Sequence, residues 1–139
     1  MPPLPKAALV DTNVLLRYLL ADDPVQSPRA AAFFKKVEAG ALAVELQDGV
    51  LAETIWVLER GFGAPRMQIA GLLIQLVLLA GICVTDGKNP LIEALTSYAG
   101  TRIDFVDCLL AARARAADTE VVSFDEDFKK LRCRYEEPR

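Results

Sequence analysis

Short apolar segments alternate with longer helix-like segments along almost the whole chain. Four of the apolar segments, at residues 8–10, 41–46, 82–84 and 120–123, have the length and branched residues typical of buried strands. Helix-like segments of about 10 to 15 residues follow them, which is the spacing of strand–helix–strand units. The pattern predicts one α/β domain over residues 1–139, built on a parallel sheet with helices on both faces. We expect loose tails at 1–6 and 133–139, with a short edge strand as an option in the second.

The composition excludes several kinds of chemistry. The 139 residues include no histidine, so Ser-His-Asp and Cys-His nucleophiles and histidine acid–base catalysis are excluded. The three cysteines are far apart and form no CxxC pair, which argues against a zinc ribbon and fits a cytoplasmic protein. The net charge of -3 provides no global basic field for nucleic acid, although a bound metal ion can reverse the sign at an acidic site.

The most apolar stretch of the chain covers residues 69–82. It is shorter than the roughly 20 residues that a membrane span needs, so we expect no membrane attachment. Its apolar side chains cover more than one helical face. The stretch is therefore either a helix buried in the domain or an interface helix, and the sequence leaves both options open.

Acidic residues follow the first and the fourth predicted strands. Asp11 comes directly after Leu9 and Val10, and Asp125 follows the strand at residues 120–123. Ligands bind beside the carboxyl ends of strands in an open α/β sheet, so both acids are candidates for one site. Asp11 also precedes a helix, and capping of that helix explains it equally well. Asp127 is more simply a solvated helix acid.

Three further acids lie near the starts of predicted helices. Glu53 lies among Val50, Leu51 and other apolar residues, where a lone carboxylate is costly unless it is paired or binds a metal. The alternative is an exposed acid favoured by the helix dipole. Asp104 and Asp107 are three residues apart and share a helical face, although this spacing also resembles a capping box.

Carboxylates that meet in one cleft repel one another unless a cation neutralises them. Their oxygens suit Mg²⁺ or Mn²⁺, which keep several waters and also bind phosphate. With no histidine in the chain, water activated by such an ion is the most economical route to hydrolysis. The acids therefore favour a hydrolase that acts on phosphodiesters with one or two ions.

Four motifs together resemble the PIN-domain proteins, and most closely the VapC-type toxins of bacterial type II toxin–antitoxin pairs. They are VDTN at residues 10–13, VLAE at 50–53, DFVDCLLAA at 104–112 and VSFDEDF at 122–128. Each motif is common alone, but the four occur in the family's order and cover nearly the whole chain. One departure is Ser123, where the family often has threonine; the hydroxyl is kept.

The resemblance implies a three-layer α/β/α fold with a central parallel sheet of four to five strands. It also implies a Mg²⁺- or Mn²⁺-dependent endoribonuclease that inhibits translation as a toxin. By position, Asp11 and Asp107 would bind the metal directly, while Glu53 and Asp125 would complete the pocket through bound water. Asp104 would be an additional acid of the same catalytic set.

The resemblance further implies polar residues that support the acids, and partners for the protein. Thr12, Asn13 and Ser123 would orient the carboxylates through hydrogen bonds. The implied partners are an RNA substrate, a second copy of the chain in a homodimer, and a cognate antitoxin protein. The candidate contacts to the RNA backbone are Arg17, Arg60, Arg66, Arg102, Arg113 and Arg115.

Two other functions remain open at this point. A non-catalytic PIN-like module would keep the acids for binding metal or RNA, and loss of cleavage on Asp11→Asn would exclude it. A receiver-like phosphoacceptor domain also gathers acids around Mg²⁺ on a doubly wound sheet. That fold needs adjacent acids after the first strand and a lysine after the last, whereas this chain has Asp11 alone and Phe124-Asp125.

Overall fold

The computed structural model of the protein describes residues 6–139. Within this range, five strands of two residues each alternate with seven helices, as the sequence predicts. The strands are β1 (Ala8–Leu9), β2 (Val44–Glu45), β3 (Ile82–Cys83), β4 (Val121–Val122) and β5 (Tyr135–Glu136). The helices are α1 (Thr12–Leu20), α2 (Gln26–Glu38), α3 (Asp48–Trp56), α4 (Arg66–Val77), α5 (Lys88–Gly100), α6 (Phe105–Ala116) and α7 (Asp127–Lys130). A π-helical turn, Val57–Gly61, continues α3.

The strands are all parallel, and they form two small sheets. In the first, β2 lies between β1 and β3, with Val44 opposite both Ala8 and Ile82. In the second, β4 pairs with β5. The predicted α/β class with parallel strands is confirmed. The strands are short, and their hydrogen-bonded pairs within residues 6–139 form one group of three and one group of two.

Every helix contributes to one cluster of buried apolar side chains. The apolar stretch forms α4, and it packs into this cluster through Ile69, Leu73 and Leu76, which are almost fully buried. Burial of side chains of this size stabilises the fold by about 1.5–3 kcal/mol each. Of the two options for this stretch, the structure favours the buried helix.

Ser27-Pro28 has the sequence pattern of a cap followed by proline at the first helical position, which predicts a helix that starts after Ser27, but α2 starts at Gln26. Ser27 instead lies buried inside the helix, and its Oγ accepts a hydrogen bond from the backbone N–H of Asp23 at 3.1 Å. An oxygen of Asp23 accepts bonds from the backbone N–H groups of Val25 and Gln26 at 2.9 and 2.6 Å. These bonds lower the pKa of the Asp23 carboxyl, since they stabilise its charged form.

Gly81 lies where α4 turns back into β3. Its N–H donates to the carbonyl of Val37 at 2.9 Å, and its carbonyl accepts from the N–H of Val44 at 2.8 Å. A Cβ at this position would lie 2.8 Å from the Val37 carbonyl oxygen and would overlap the carbonyl of Leu42. Only glycine therefore allows the two chain segments to approach this closely.

The C-terminal segment, expected to be loose, is partly ordered. The edge strand β5 forms there, and Cys133 and Tyr135 pack against the core. This is the short edge strand that the sequence leaves as an option for residues 133–139, and pairing with β4 and core contacts hold it in place. The other expected tail, residues 1–6, lies outside the described residues except for Lys6. No helix in residues 6–139 has the length and apolar character to cross a membrane.

Candidate active site

Asp104 occupies the cap position at the start of α6, and its side chain makes no capping hydrogen bond. The capping-box alternative is therefore wrong for this residue. Its carboxylate is exposed and not engaged in capping, while Asp107 lies one turn further on and is partly buried. The two acids lie on one face of the helix, as the spacing predicts.

Arg66 ties down the loop that leads into α6. Its Nη1 donates to the carbonyl oxygens of Tyr98, Thr101 and Ile103 at 3.2, 3.1 and 2.7 Å. Its guanidinium lies over the Tyr98 ring, 4.3 Å from the centroid, and its Nε pairs with Glu59 at 2.7 Å. The guanidinium is thus bonded within the protein, so Arg66 is a weaker candidate for an RNA contact than an exposed arginine.

Burial raises the pKa of the Asp107 carboxyl, and nearby negative charges raise it further. These charges belong to Asp125, Asp104 and Asp127, in order of decreasing effect. No cation among the residues that the structure describes counts among the causes of this shift. The structure therefore brings four carboxylates into one electrostatic group, and the one ion pair that these four form within residues 6–139 is that of Asp127 with Lys130 at 3.5 Å.

The loop after β4 presents Asp125 to this group. The Ser123 hydroxyl accepts a hydrogen bond from the backbone N–H of Asp125 at 2.9 Å, and Asp125 accepts one from the N–H of Asp127 at 2.8 Å. Ser123 thus bonds the backbone of the loop, and within residues 6–139 its hydroxyl makes no hydrogen bond to a carboxylate. Asp127, interpreted from the sequence as a solvated acid, is partly buried and close enough to raise the pKa of Asp107.

Asp11 follows β1 and caps α1, accepting a hydrogen bond from the backbone N–H of Val14 at 3.1 Å. It lines a cavity of about 720 Å³ together with Asn13, Arg17 and Arg29. It is not among the acids that shift the pKa of Asp107. In the described part of the chain, β1 and β4 lie in separate sheets, so no ladder brings Asp11 beside the β4 loop.

The environments of Thr12, Asn13 and Glu53 differ from those expected from the sequence. Within residues 6–139, neither Thr12 nor Asn13 makes a side-chain hydrogen bond to Asp11. Glu53 is exposed, because the buried face of α3 is formed by Leu51 and its neighbours one turn apart. The argument that Glu53 needs a partner to offset burial is therefore wrong.

Most candidate RNA-binding arginines are engaged in the fold. Arg113 of α6 makes a two-pronged ion pair with Asp48 at the start of α3, with one N–O distance of 2.9 Å. Arg115 donates to the carbonyl of Leu131, and Arg17 donates to a Gln26 oxygen at 2.8 Å. Only Arg60 and Arg102 of the six are exposed and take part in no ion pair within the described chain.

The acids fit a hard divalent cation in donor chemistry, because all supply carboxylate oxygens and their charges repel one another. Their positions do not form a closed metal centre. Among residues 6–139, no three acidic or cysteine side chains lie close enough together to hold one ion. A Mg²⁺ or Mn²⁺ ion at this group would therefore be held by one or two of the carboxylates, with water completing its coordination.

Two aromatic residues beside the acids were not identified from the sequence. Trp56 and Tyr98 line a depression together with Asp104 and Asp107. Burial raises the pKa of Tyr98 to about 12, and the neighbouring Glu59 carboxylate adds to this shift. Trp56 lies three residues after Glu53 on the same helix, which is the one signal that links it to a predicted motif.

Parallel strands with acids at their carboxyl ends, and a cluster of carboxylates at the start of α6, define an α/β protein with an acidic active-site candidate. The sequence matches the PIN domain family over residues 8–132. The chain therefore belongs to the PIN-domain family. Proteins of this family are generally nucleases and typically use divalent metal ions. No curated protein matches the sequence at a significant level.

Proposed function

We propose that this protein is a Mg²⁺- or Mn²⁺-dependent endoribonuclease and the toxin of a type II toxin–antitoxin pair. The observation that carries the nuclease proposal is the environment of Asp107, where burial and three neighbouring carboxylates disfavour the charged form. A divalent cation would relieve this repulsion. When bound, it would lower the pKa of an attacking water and stabilise the leaving oxygen of a phosphodiester.

The proposed ligand set combines structural and sequence arguments. Asp107 is proposed as a direct ligand, with Asp104 and Asp125 beside it, because the charges of these two act on Asp107 in the folded chain. Asp11 is proposed as the second direct ligand and Glu53 as a ligand through water. These two rest on the family motifs alone, so they are the residues whose role most needs a direct test.

The test is cleavage of a mixed RNA panel by purified protein with Mg²⁺, with Mn²⁺ and with chelator. We expect cleavage that requires metal and is lost in Asp11→Asn and in Asp107→Asn. Glu120→Gln is the matched control, because this exposed acid lies outside the carboxylate group and also loses one negative charge. The control should cleave like wild type. Cleavage that survives both aspartate variants would reject the proposal and indicate a contaminant.

A binding-only PIN module is the second candidate function. It is favoured by the exposed Arg60 and Arg102, which form no ion pair within residues 6–139 and can contact an RNA backbone without any catalysis. Mn²⁺ titration followed by melting separates the two candidates. An ion that raises the melting temperature without supporting any RNA cleavage would favour the module.

A homodimer is proposed through the neighbouring faces of α3 and α6. Val106 and Leu110 are 52% and 48% exposed, and they line a shallow depression with Gly49 and Ala52. Apolar residues exposed side by side in this way mark an interaction surface. Light scattering after gel filtration should give twice the chain mass, and Leu110→Glu should give the monomer mass. A monomeric wild type would reject this assignment.

The antitoxin and the cytoplasmic location are proposed from the resemblance to VapC-type toxins. The test is co-expression with the protein encoded by the adjacent gene. We expect that protein to co-purify and to suppress cleavage. An adjacent product that neither binds nor inhibits would remove the toxin–antitoxin part and leave the nuclease proposal intact.

A further inference from the structure

We infer that the depression beside Asp104 and Asp107 binds one unpaired nucleobase of an RNA strand, with Trp56 as the surface on which the base stacks. The inference rests on the proposed ribonuclease function and adds the class of substrate and the residues that hold it. The depression has a volume of about 350 Å³. This is near the lower end of the roughly 300–1,000 Å³ range of small-molecule sites, so it suits one base and excludes a helix.

Trp56 supplies an unusual exposed aromatic surface. It is the only tryptophan of the chain, and it is 63% exposed at the end of α3 although Ile55 beside it is buried. Any nucleobase can stack on such a ring, because every base has a π-face. The ring borders the same depression as Asp104 and Asp107, so a base stacked there would place its neighbouring phosphate beside the acids.

Tyr98 provides an independent observation that points to a ligand. It is 1% exposed and lines the depression, and its hydroxyl makes no hydrogen bond of normal length within residues 6–139, although the Glu59 carboxylate lies near enough to raise its pKa. Buried polar groups in native proteins nearly always have a partner. The Tyr98 ring is held between the Arg66 guanidinium and the edge of Phe105, so its hydroxyl has a fixed position in the wall. A bound base would supply the missing hydrogen bond.

The charged side chains around the depression can contact both parts of a nucleotide, its phosphate and its base. Arg60 lines one side, is exposed and forms no ion pair within residues 6–139, so it is available for a backbone phosphate. Glu59 lines the wall as well and only accepts hydrogen bonds, which suits the N–H groups of a base edge. A base in a duplex is already stacked and paired, so this arrangement selects single-stranded RNA.

The test uses the fluorescence of Trp56, which reports on this depression alone because the chain has no other tryptophan. The full-length protein is titrated in chelator with a short single-stranded RNA. The same strand with abasic sites and the same sequence as a duplex are titrated in parallel. We expect quenching by the single strand, and at most a few per cent of that signal from the abasic strand or the duplex.

Variants separate stacking from general charge attraction, with Kd measured by anisotropy of labelled RNA. Trp56→Ala should weaken binding roughly fivefold or more, and Trp56→Phe should restore it to within about twofold. Tyr98→Phe, which removes only the hydroxyl, should also weaken binding. Phe62→Ala is the matched control, because Phe62 is an exposed aromatic residue at the end of the same helical segment and does not line the depression.

Two results would overturn the inference: equal quenching by the abasic strand, or wild-type affinity in Trp56→Ala. Val106 and Ala52 line both this depression and the proposed dimer face, so the titration is repeated with the Leu110→Glu variant, which should show the same quenching as wild type. Binding in chelator needs no catalysis, so the outcome is independent of the nuclease test. Quenching without any RNA cleavage would reject the ribonuclease proposal alone. Metal-dependent cleavage with unchanged affinity in Trp56→Ala would reject the base pocket alone.

Discussion

Replacing Arg66 by methionine removes the cation that holds the loop before α6 while keeping an unbranched side chain. The lost interactions are the ion pair with Glu59 at 2.7 Å and the bonds to three loop carbonyls at 2.7–3.2 Å. The Arg66 side chain is only 20% exposed, so water replaces these bonds poorly. We expect the free energy of unfolding to fall and the loop to lose its fixed conformation.

The size of the effect follows from the kind of bond. A hydrogen bond to a charged group contributes about 1.5–3 kcal/mol, but one Nη1 shares three acceptors here, so the terms do not add. We therefore expect a loss of about 3 kcal/mol in total. A domain of this size has a stability of roughly 7–20 kcal/mol. The melting temperature should fall by about 10 °C.

Thermal unfolding followed by circular dichroism measures this change, and amide hydrogen exchange at Ile103 reports on the loop. Arg102→Met is the matched control, because it removes the same charge from an exposed residue of the same loop. It should melt within about 2 °C of wild type. If Arg66→Met melts at the same temperature as this control, the reasoning that Arg66 organises the start of α6 is refuted.

Three further predictions concern other parts of the fold. In chelator, Asp107→Asn should melt at or above wild type at pH 7, and this difference in melting temperature should shrink as the pH falls toward 4. The reason is that the folded pKa of Asp107 is raised, so its ionisation opposes folding only above the unfolded pKa of about 3.8. A variant that melts below wild type at pH 7 would contradict this prediction. Gly81→Ala should lower the free energy of unfolding by about 3 kcal/mol or more in a urea titration, because a Cβ there meets two backbone carbonyls. The control is Gly71→Ala, which places its methyl group in open space on α4 and should not destabilise the protein. Cys83 is exposed and should react first with a thiol reagent, while burial raises the pKa of Cys108 to about 11 and should keep it unreactive until the protein unfolds.

The sequence predicted the order and type of nearly all elements because each has a local signal. The apolar periods distinguish strands from helices, and Gly40 and Gly61 lie close to the ends of α2 and of the helical segment that begins with α3. The π-helical turn after Trp56 carries no such signal and was not predicted. The Ser27 side chain has the chemistry of a helix cap, but in the structure Ser27 is buried inside α2 and does not cap it.

The candidate site was predictable only in part. Asp104, Asp107 and Asp125 share a group because two of them start α6 and the third follows the strand whose end lies beside that helix, a placement that the motifs anticipate. The apolar neighbours of Glu53 in the sequence suggest a buried carboxylate, but Glu53 is exposed. It lies on the solvent face of α3, away from the face that Leu51 and Ile55 bury. Asp127 was assigned to solvent because sequence neighbours do not show which acids meet in space.

The sequence by itself determined the α/β class, the family motifs and the absence of histidine chemistry, since these depend on residue identity and on patterns within one turn or one strand. Only the tertiary structure decided which charges interact. It bonded Arg66 and Arg113 within the protein, divided the strands between two sheets, and placed Trp56 and the Tyr98 hydroxyl beside the acids. The physical reason is that electrostatic and hydrogen-bond partners are set by distance in space, and these contacts join residues 30 or more positions apart in the chain.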